Sequence, residues 1–223
     1  MATILLVHGG LWEPDMDAAR FWGETGVLEG LRTRGHAVIA PDRPPRPATW
    51  DDDLAPVLTA VPVGAAMPAD GLVVVAGSNG VTSGVRLACA RPDAVRALVL
   101  LHPATAGDPR ADEHQRGVMV ELGASVDVCD ALLAGGVLRG VPDDELAALA
   151  MPVAVVPALA DDPFHLRSTV DALLALVPGA RELATMPPPP MPTFAEHREA
   201  FLDAIDELTA VDAVARARPV DTA

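Results

Sequence analysis

Short apolar runs rich in valine, leucine and isoleucine alternate along this 223-residue chain with segments of helical period. The predicted strands are Thr3–Val7, Ala37–Ala40, Leu72–Val75, Val95–Leu101, Met151–Val156 and Ala180–Ala184. The predicted helices are Ala18–Arg34, Trp50–Ala60, Val81–Ala90, Ser168–Leu176 and Phe194–Leu208. Because strands that alternate with helices are joined by right-handed crossovers, we predict an α/β fold with a mostly parallel sheet of about six strands and helices on both faces.

The composition narrows the class of protein. The formal charge is −15, and all 16 basic residues are arginines, so a nucleic-acid partner is disfavoured. No apolar run approaches the roughly 18–20 residues that a membrane span needs. The first apolar stretch has no basic residue before it and continues directly into His8-Gly9-Gly10, unlike a signal peptide. We expect a cytoplasmic protein that binds neither nucleic acid nor membranes.

The number of cysteines argues against a fold that is held together by disulfides or by a cysteine-only zinc site. Cys89 and Cys129 are the only cysteines, too few for a disulfide framework or a cysteine-only zinc site. Cys89 lies in an apolar stretch, where a free thiol behaves as a small core residue. No metal-ligand spacing is present, and we expect neither a metal nor a cofactor.

The carboxyl ends of parallel strands carry the functional groups of such sheets. The segments that follow the first, third, fourth and fifth strands are His8-Gly9-Gly10, Gly77-Ser78-Asn79-Gly80, His102-Pro103 and Asp161-Asp162-Pro163-Phe164-His165. These segments are therefore expected to meet at one edge of the sheet.

Ser78 lies between a predicted strand and a predicted helix, on a tight turn flanked by the small residues Ala76 and Gly80. Its hydroxyl would be lifted out of the sheet, and the N-terminus of the following helix would favour an oxyanion. The alternative is a glycine-rich turn that binds phosphate, but the segment matches neither G-x-G-x-x-G nor a P-loop.

These motifs resemble the α/β-hydrolase family. Ala76-Gly77-Ser78-Asn79-Gly80 is similar to its G-x-S-x-G nucleophile elbow, with Ala76 in place of the first glycine. His8-Gly9-Gly10 resembles the family's H-G-x loop. The resemblance implies that Ser78 is the nucleophile and that the backbone N–H groups of Gly10 and Asn79 hold the oxyanion. It covers Thr3 to Leu208 and starts at the family's third strand, which implies the strand order 4-3-5-6-7-8 in the family's count.

The same resemblance places a catalytic acid after the fifth strand. Asp162, which precedes Pro163, is preferred there over Asp161. The family's histidine lies before the last helix, but residues 187–191 contain none. The nearest is His197, which we assign as the base, with an exposed helical histidine as the alternative interpretation.

Three other histidines lie at the same edge of the sheet. His102 and His165 could substitute as the base, whereas His8 fits a structural role better. Leu11 and Trp12, beside the oxyanion loop, are expected to form apolar walls of the pocket. His8, His102 and His165 complete the pocket candidates.

The domain prediction is a single unit over residues 1–210, with a C-terminal tail at 211–223. A short lid is expected at about 104–150, with helical patches at Ser125–Leu133 and Pro142–Leu149. A homodimer is left open.

The function predicted from the resemblance is a serine-dependent hydrolase of a small ester or thioester. Because the family's histidine position is vacant, two alternatives stay open. One is a non-hydrolytic enzyme on the same fold, such as a lyase, cyclase or dehydratase. The other is a non-catalytic protein that binds a small molecule.

Overall fold

The computed structural model describes residues 1–160 and 162–216, with side chains as far as residue 210. The strands are β1 (Thr3–Val7), β2 (Ala37–Ile39), β3 (Leu72–Gly77), β4 (Val95–Leu101), β5 (Val153–Val156) and β6 (Arg181–Glu182). The α-helices are α1 (Val27–Thr33), α2 (Trp50–Ala60), α3 (Gly80–Ala90), α4 (Pro109–Glu121), α5 (Val126–Leu133), α6 (Asp143–Ala147), α7 (Arg167–Leu176) and α8 (Arg198–Arg216). A π-helical turn spans Ala19–Gly23, and 3₁₀ turns span Gly64–Ala66 and Pro192–Glu196.

The six strands form one parallel sheet in the order β2-β1-β3-β4-β5-β6. The predicted α/β class and strand order are therefore confirmed. The register aligns the strand ends, since Val7 pairs with Ala76 and Leu101 pairs with both Gly77 and Val156. The loops after β1, β3, β4 and β5 consequently open at the same edge of the sheet.

Alternation along the strands divides the core between the two faces of the sheet. In β1, Leu5 and Val7 pack in one cluster with residues of α2, α3 and α7, while Ile4 and Leu6 pack in the other. The second cluster includes Phe21 and residues of α1 and α8. The first cluster is built mainly from valine and leucine, whereas the second also contains the aromatic side chains of Phe21, Trp22, Phe194 and Phe201.

Three segments differ from the sequence predictions. The helix predicted at Ala18–Arg34 is divided into a π-helical turn and α1 by Gly26, whose φ is 78°. Helix α4 was not predicted. The last helix begins at Arg198 instead of Phe194, and it continues to Arg216, so residues 211–216 of the predicted tail are helical. The rest of that tail, residues 217–223, lies outside the described residues.

Two further observations concern membrane-spanning helices and the two cysteines. Over residues 1–160 and 162–216, no helix is both long and apolar enough to cross a membrane. Cys89 and Cys129 are free thiols. Burial, with a smaller contribution from Glu145, raises the pKa of Cys89 to about 11, as expected for a cysteine that packs rather than reacts.

Candidate active site

The turn after β3 has the backbone of a nucleophile elbow. Ser78 has a φ of 51°, in the left-handed region that non-glycine residues seldom adopt, and its N–H donates to Leu101 O at 2.8 Å. A Cβ on Gly80 would collide with the carbonyl oxygen of His8, so this position needs glycine. A Cβ on Gly84 would lie 2.8 Å from Ala76 Cβ. The methyl group of Ala76 therefore fits because helix α3 presents a glycine opposite it.

The hydroxyl of Ser78 contacts His165. Ser78 Oγ lies 2.8 Å from His165 Nε2, and His165 Nδ1 lies 2.9 Å from Asp162 Oδ1. The second contact has ion-pair distance but not the alignment of a hydrogen bond. The same Asp162 oxygen accepts the N–H groups of Phe164 at 2.8 Å and His165 at 3.2 Å. A serine, an imidazole and a carboxylate thus lie in sequence at the edge of the sheet.

Asp162 is held in its charged form. Burial alone would raise the pKa of its carboxyl group, but His165 and the backbone N–H groups of Phe164 and His165 outweigh burial and lower it. The carboxylate is therefore available to stabilise a positive charge on His165.

The loop that carries both Asp162 and His165 is fixed by Thr105, a buried residue of the segment after β4. The N–H of Thr105 donates to Phe164 O at 2.8 Å, and its Oγ1 accepts the N–H of Leu166 at 2.8 Å. A further contact of 2.9 Å joins Thr105 Oγ1 to the hydroxyl of Thr169. These bonds flank His165 on both sides and hold its ring against Ser78.

The assignment of His197 as the base is not supported by this geometry. His197 lies between the 3₁₀ turn Pro192–Glu196 and α8, and its N–H donates to Phe194 O at 2.8 Å. Among the described contacts, its ring has none with Ser78 or Asp162, and His165 occupies the position expected for it. The physical reason is that the acid loop itself supplies an imidazole three residues after Asp162, and the bonds to Thr105 hold that loop in place. The alternative acid, Asp161, lies outside the described residues.

The two backbone groups predicted to hold an oxyanion lie beside the serine. Gly10 and Asn79 both line the cavity that contains Ser78. Neither N–H donates to another group within the described chain. Gly10 has a φ of 85°, and Asn79 is the N-cap of α3, so its N–H lies at the positive end of the helix dipole. The arrangement is suited to an oxyanion.

His8 is buried, and both of its ring nitrogens have polar partners. Its Nδ1 lies 2.7 Å from Gly9 O, and its Nε2 accepts the N–H of Arg43 at 2.8 Å. These contacts are satisfied by one neutral tautomer, with the proton on Nδ1. Burial and the charge of Arg43 lower the pKa of His8 to about 4. The ring is 1% exposed and supports the oxyanion loop from beneath.

Arg43 connects His8 to a buried ion pair. Its guanidinium donates to His8 O and pairs with Asp53 at 2.8 Å, with both side chains 1% exposed. Asp53 also accepts the hydroxyl of Ser83 in α3. The oxyanion loop, α2 and α3 are therefore joined by one buried polar network.

We expect Asp53→Ala to lower the free energy of unfolding by about 3–5 kcal/mol, because it leaves the Arg43 charge buried without a partner. Asp51→Ala on the same helix is the matched control. Asp51 pairs with Arg86 but its side chain is 84% exposed, so its loss should cost less than about 1 kcal/mol. Urea denaturation of the two variants measures both values. Equal effects would contradict the role of the buried pair.

His102 lies behind the site rather than in it. It is 2% exposed, and its ring centroid is 6.0 Å from that of His165. Its φ is 50°, and its Nε2 has no hydrogen-bond partner in the described chain. Burial and the neighbouring His165 lower its pKa to about 3. His102 is therefore a neutral residue beneath the base, not a substitute for it.

The two buried histidines predict a loss of stability in mild acid. Both bind a proton near pH 6.5 when unfolded but remain neutral in the folded chain, so the unfolded state binds more protons below that pH. Acidification from about pH 7 to about pH 5 should lower the free energy of unfolding by up to about 4 kcal/mol. His8→Gln retains an acceptor for Arg43 but cannot titrate, so denaturation at several pH values should give about half this slope. An unchanged slope would contradict the prediction.

The cavity beside Ser78 has a volume of about 310 Å³. Its apolar walls include Leu11, Val118 and Phe164. Leu11 lines the cavity, whereas Trp12 does not, although both belong to an apolar cluster that includes Met119 of the lid. The indole N–H of Trp12 donates to Pro47 O at 2.9 Å. His8 and His102 do not line the cavity in the described structure, and His165 does.

The lid packs directly on the oxyanion loop and the elbow. Helices α4, α5 and α6 lie within it, two of them at the predicted patches. Arg139, which is 1% exposed, contacts Asn79 Oδ1 at 3.4 Å and Asp112 at 3.0 Å. The carbonyl of Arg139 accepts the hydroxyl of Thr82 at 2.9 Å. These bonds fix the lid over the N-terminus of α3.

Comparison with known proteins identifies the fold and nothing finer. No protein-family model and no curated protein matches the sequence. A lipase-esterase related protein from Clostridium acetobutylicum is similar in structure, with a TM-score of 0.66, 14% identity, and coverage of 93% of this chain and 94% of that one. A putative non-heme bromoperoxidase from Mycobacterium tuberculosis gives a TM-score of 0.68 at 15% identity, with coverage of 95% of this chain and 92% of that one. An esterase from a Rhodococcus species gives a TM-score of 0.62 at 17% identity, with coverage of 94% of this chain and 90% of that one.

These similarities extend over nearly the whole chain, and the sheet has the strand order that the resemblance implied. The chain therefore has the α/β-hydrolase fold. At 14–17% identity the likeness carries the fold alone, and the chemistry must be argued from the site.

Proposed function

We propose that this protein is a serine hydrolase that cleaves small esters or thioesters through an acyl-enzyme, with Ser78, His165 and Asp162 as its catalytic residues. The observation that carries the proposal is the 2.8 Å contact between Ser78 Oγ and His165 Nε2, with Asp162 Oδ1 2.9 Å from the other ring nitrogen. A serine hydroxyl is a weak nucleophile near neutral pH unless a base lies within hydrogen-bond reach.

The first half of the reaction acylates the serine. Ser78 Oγ attacks the substrate carbonyl while its proton moves to His165 Nε2, and Asp162 stabilises the imidazolium that forms. The N–H groups of Gly10 and Asn79 donate hydrogen bonds to the carbonyl oxygen and stabilise its negative charge. The bond to the leaving group then breaks, and His165 returns the proton to the departing alcohol or thiol.

The second half releases the acid. A water molecule attacks the acyl carbon and gives a proton to His165, the same N–H groups hold the second oxyanion, and the bond to Ser78 Oγ breaks. The proton on His165 returns to Ser78. A cavity of about 310 Å³ is small for a ligand site, which favours a short acyl group.

The contact between Ser78 and His165 also bears on the rival functions. The lyase, cyclase, dehydratase and binding-protein alternatives were favoured by a missing base, and His165 removes that reason. The small-molecule substrate and the cytoplasmic location stay predictions from the sequence.

The proposal is tested by following acylation directly. We expect the purified protein to hydrolyse p-nitrophenyl acetate and butyrate, and a brief reaction in mild acid to leave an acyl group on Ser78, detected by peptide mass spectrometry. Absence of hydrolysis, or an acyl group on a different residue, would exclude the acyl-enzyme route.

A further inference from the structure

The cavity at Ser78 carries one unpaired carboxylate. Of the residues that line it in the described chain, Glu13 alone has a full charge, apart from the titratable His165. The carboxylate of Glu13 makes no hydrogen bond or ion pair with another described residue, whereas its backbone carbonyl accepts the N–H of Met16 at 3.0 Å. Asp15 and Asp17 follow it along the chain. No arginine lines the cavity in the described structure, and the chain contains no lysine. An anionic substrate group would find no positively charged partner there.

Glu13 lies close to the predicted oxyanion position. A Cβ built on Gly10 would be 3.3 Å from Glu13 Oε2, so the carboxylate is adjacent to one of the two oxyanion donors. Glu13 is exposed, so solvent screens part of its charge, but a carboxylate beside this donor still opposes the negative charge that develops on the substrate oxygen. A positively charged substrate group beside Glu13 would cancel that repulsion.

A second polar group faces the same cavity from the lid. Gln115 on α4 is 6% exposed and lines the cavity, yet its amide has no hydrogen-bond partner among the described residues. Because the amide faces the cavity, a polar group of a ligand can form a hydrogen bond with it. Gln115 thus points to a substrate that brings a hydrogen-bonding group besides the reacting ester.

From these contacts we infer that the substrate is a small ester bearing a protonated amine, with Glu13 pairing with the ammonium group and Gln115 accepting one of its N–H bonds. The apolar walls at Leu11, Val118 and Phe164 enclose the short hydrocarbon between the ammonium and ester groups. The net charge of −15 attracts cations and repels anionic esters before contact. The inference rests on the proposed hydrolase function and narrows its substrate class.

The test compares esters of equal shape that differ in charge. The methyl esters of glycine and β-alanine are measured against methyl propanoate and methyl butanoate, in which a methyl group replaces the ammonium group. The readout is the ratio of kcat/KM for the charged ester to that for its neutral partner, at a pH that keeps the amine protonated. Glu13→Gln is expected to lower this ratio about three- to tenfold, and added salt should lower it in the unmodified protein. Because both enzymes use the same ester pair, intrinsic reactivity cancels.

Glu113→Gln is the matched control, since Glu113 is an exposed glutamate of α4 outside the cavity lining, and its ratio should stay unchanged. A ratio that is unchanged or raised in Glu13→Gln, or that falls equally in both variants, would overturn the inference. Failure of the hydrolase proposal looks different, because then no ester is cleaved, or cleavage persists in Ser78→Ala.

Discussion

Replacement of Ser78 by alanine should abolish ester hydrolysis, with kcat falling by about three to six orders of magnitude. The variant removes the only oxygen that contacts His165 Nε2 in the described structure, so no acyl-enzyme can form. The fold should be retained, because the substitution deletes one hydroxyl group from a half-buried side chain. Steady-state kinetics with p-nitrophenyl acetate measure the loss.

Ser168→Ala is the control for this experiment. Ser168 is exposed on α7, outside the residues that line the cavity, and its replacement should leave the rate unchanged. Melting temperatures of both variants should match that of the parent protein. Hydrolysis by folded Ser78→Ala at the parent rate would mean that another group is the nucleophile.

The second large effect separates two histidines. His165→Ala should lower kcat by about three orders of magnitude or more, because it removes the group that accepts the Ser78 proton and carries the contact to Asp162. His197→Ala should leave kcat within a factor of about two, since no group of the proposed mechanism contacts it in the described structure. The two variants differ only in which imidazole is lost.

A reversed result would restore the interpretation made from the sequence. If His197→Ala were inactive and His165→Ala active, with both folded by circular dichroism, His197 would be the base. Loss of activity in both variants would require a melting curve for each, because an unfolded variant does not report on catalysis.

The sheet and the elbow could be predicted because their signals are local. The strands β1, β2, β3 and β5 are short apolar runs, and each ends at, or is followed within two residues by, a glycine, proline or histidine that opens a loop. Parallel connection then brings Gly10, Ser78 and Asp162 to one edge without any knowledge of side-chain contacts. The sequence also indicated that Ala76 could replace the first glycine of the elbow. Only the structure shows that Gly84 lies opposite Ala76 and leaves room for its methyl group.

The base could not be chosen from the sequence, since His102, His165 and His197 compete and the deciding contacts are tertiary. The loop Asp162-Pro163-Phe164-His165 holds both an acid and an imidazole at the correct edge, and that was the available signal. What selects His165 is a pair of hydrogen bonds to Thr105, a residue far away in the chain, one from its N–H to Phe164 O and one from the Leu166 N–H to its hydroxyl. His197 was assigned instead because it is the histidine nearest to the position, before the last helix, where the family has its base.

Helix α4 was missed for a different reason. Its face toward the core is sparse, with only Ala111, Gln115 and Met119 buried, so hydrophobic periodicity is weak. Its start is nevertheless marked, because Asp108 caps it and Pro109 stands at the first helical position. Capping residues would have located this helix where periodicity could not.

The central claim, that His165 activates Ser78, is tested most directly by labelling with a fluorophosphonate probe, which needs no knowledge of the substrate. The parent protein and His197→Ala should be labelled at Ser78 at similar rates, while Ser78→Ala should not be labelled and His165→Ala should react at least about a hundredfold more slowly. Rapid labelling of Ser78 in folded His165→Ala would contradict the claim.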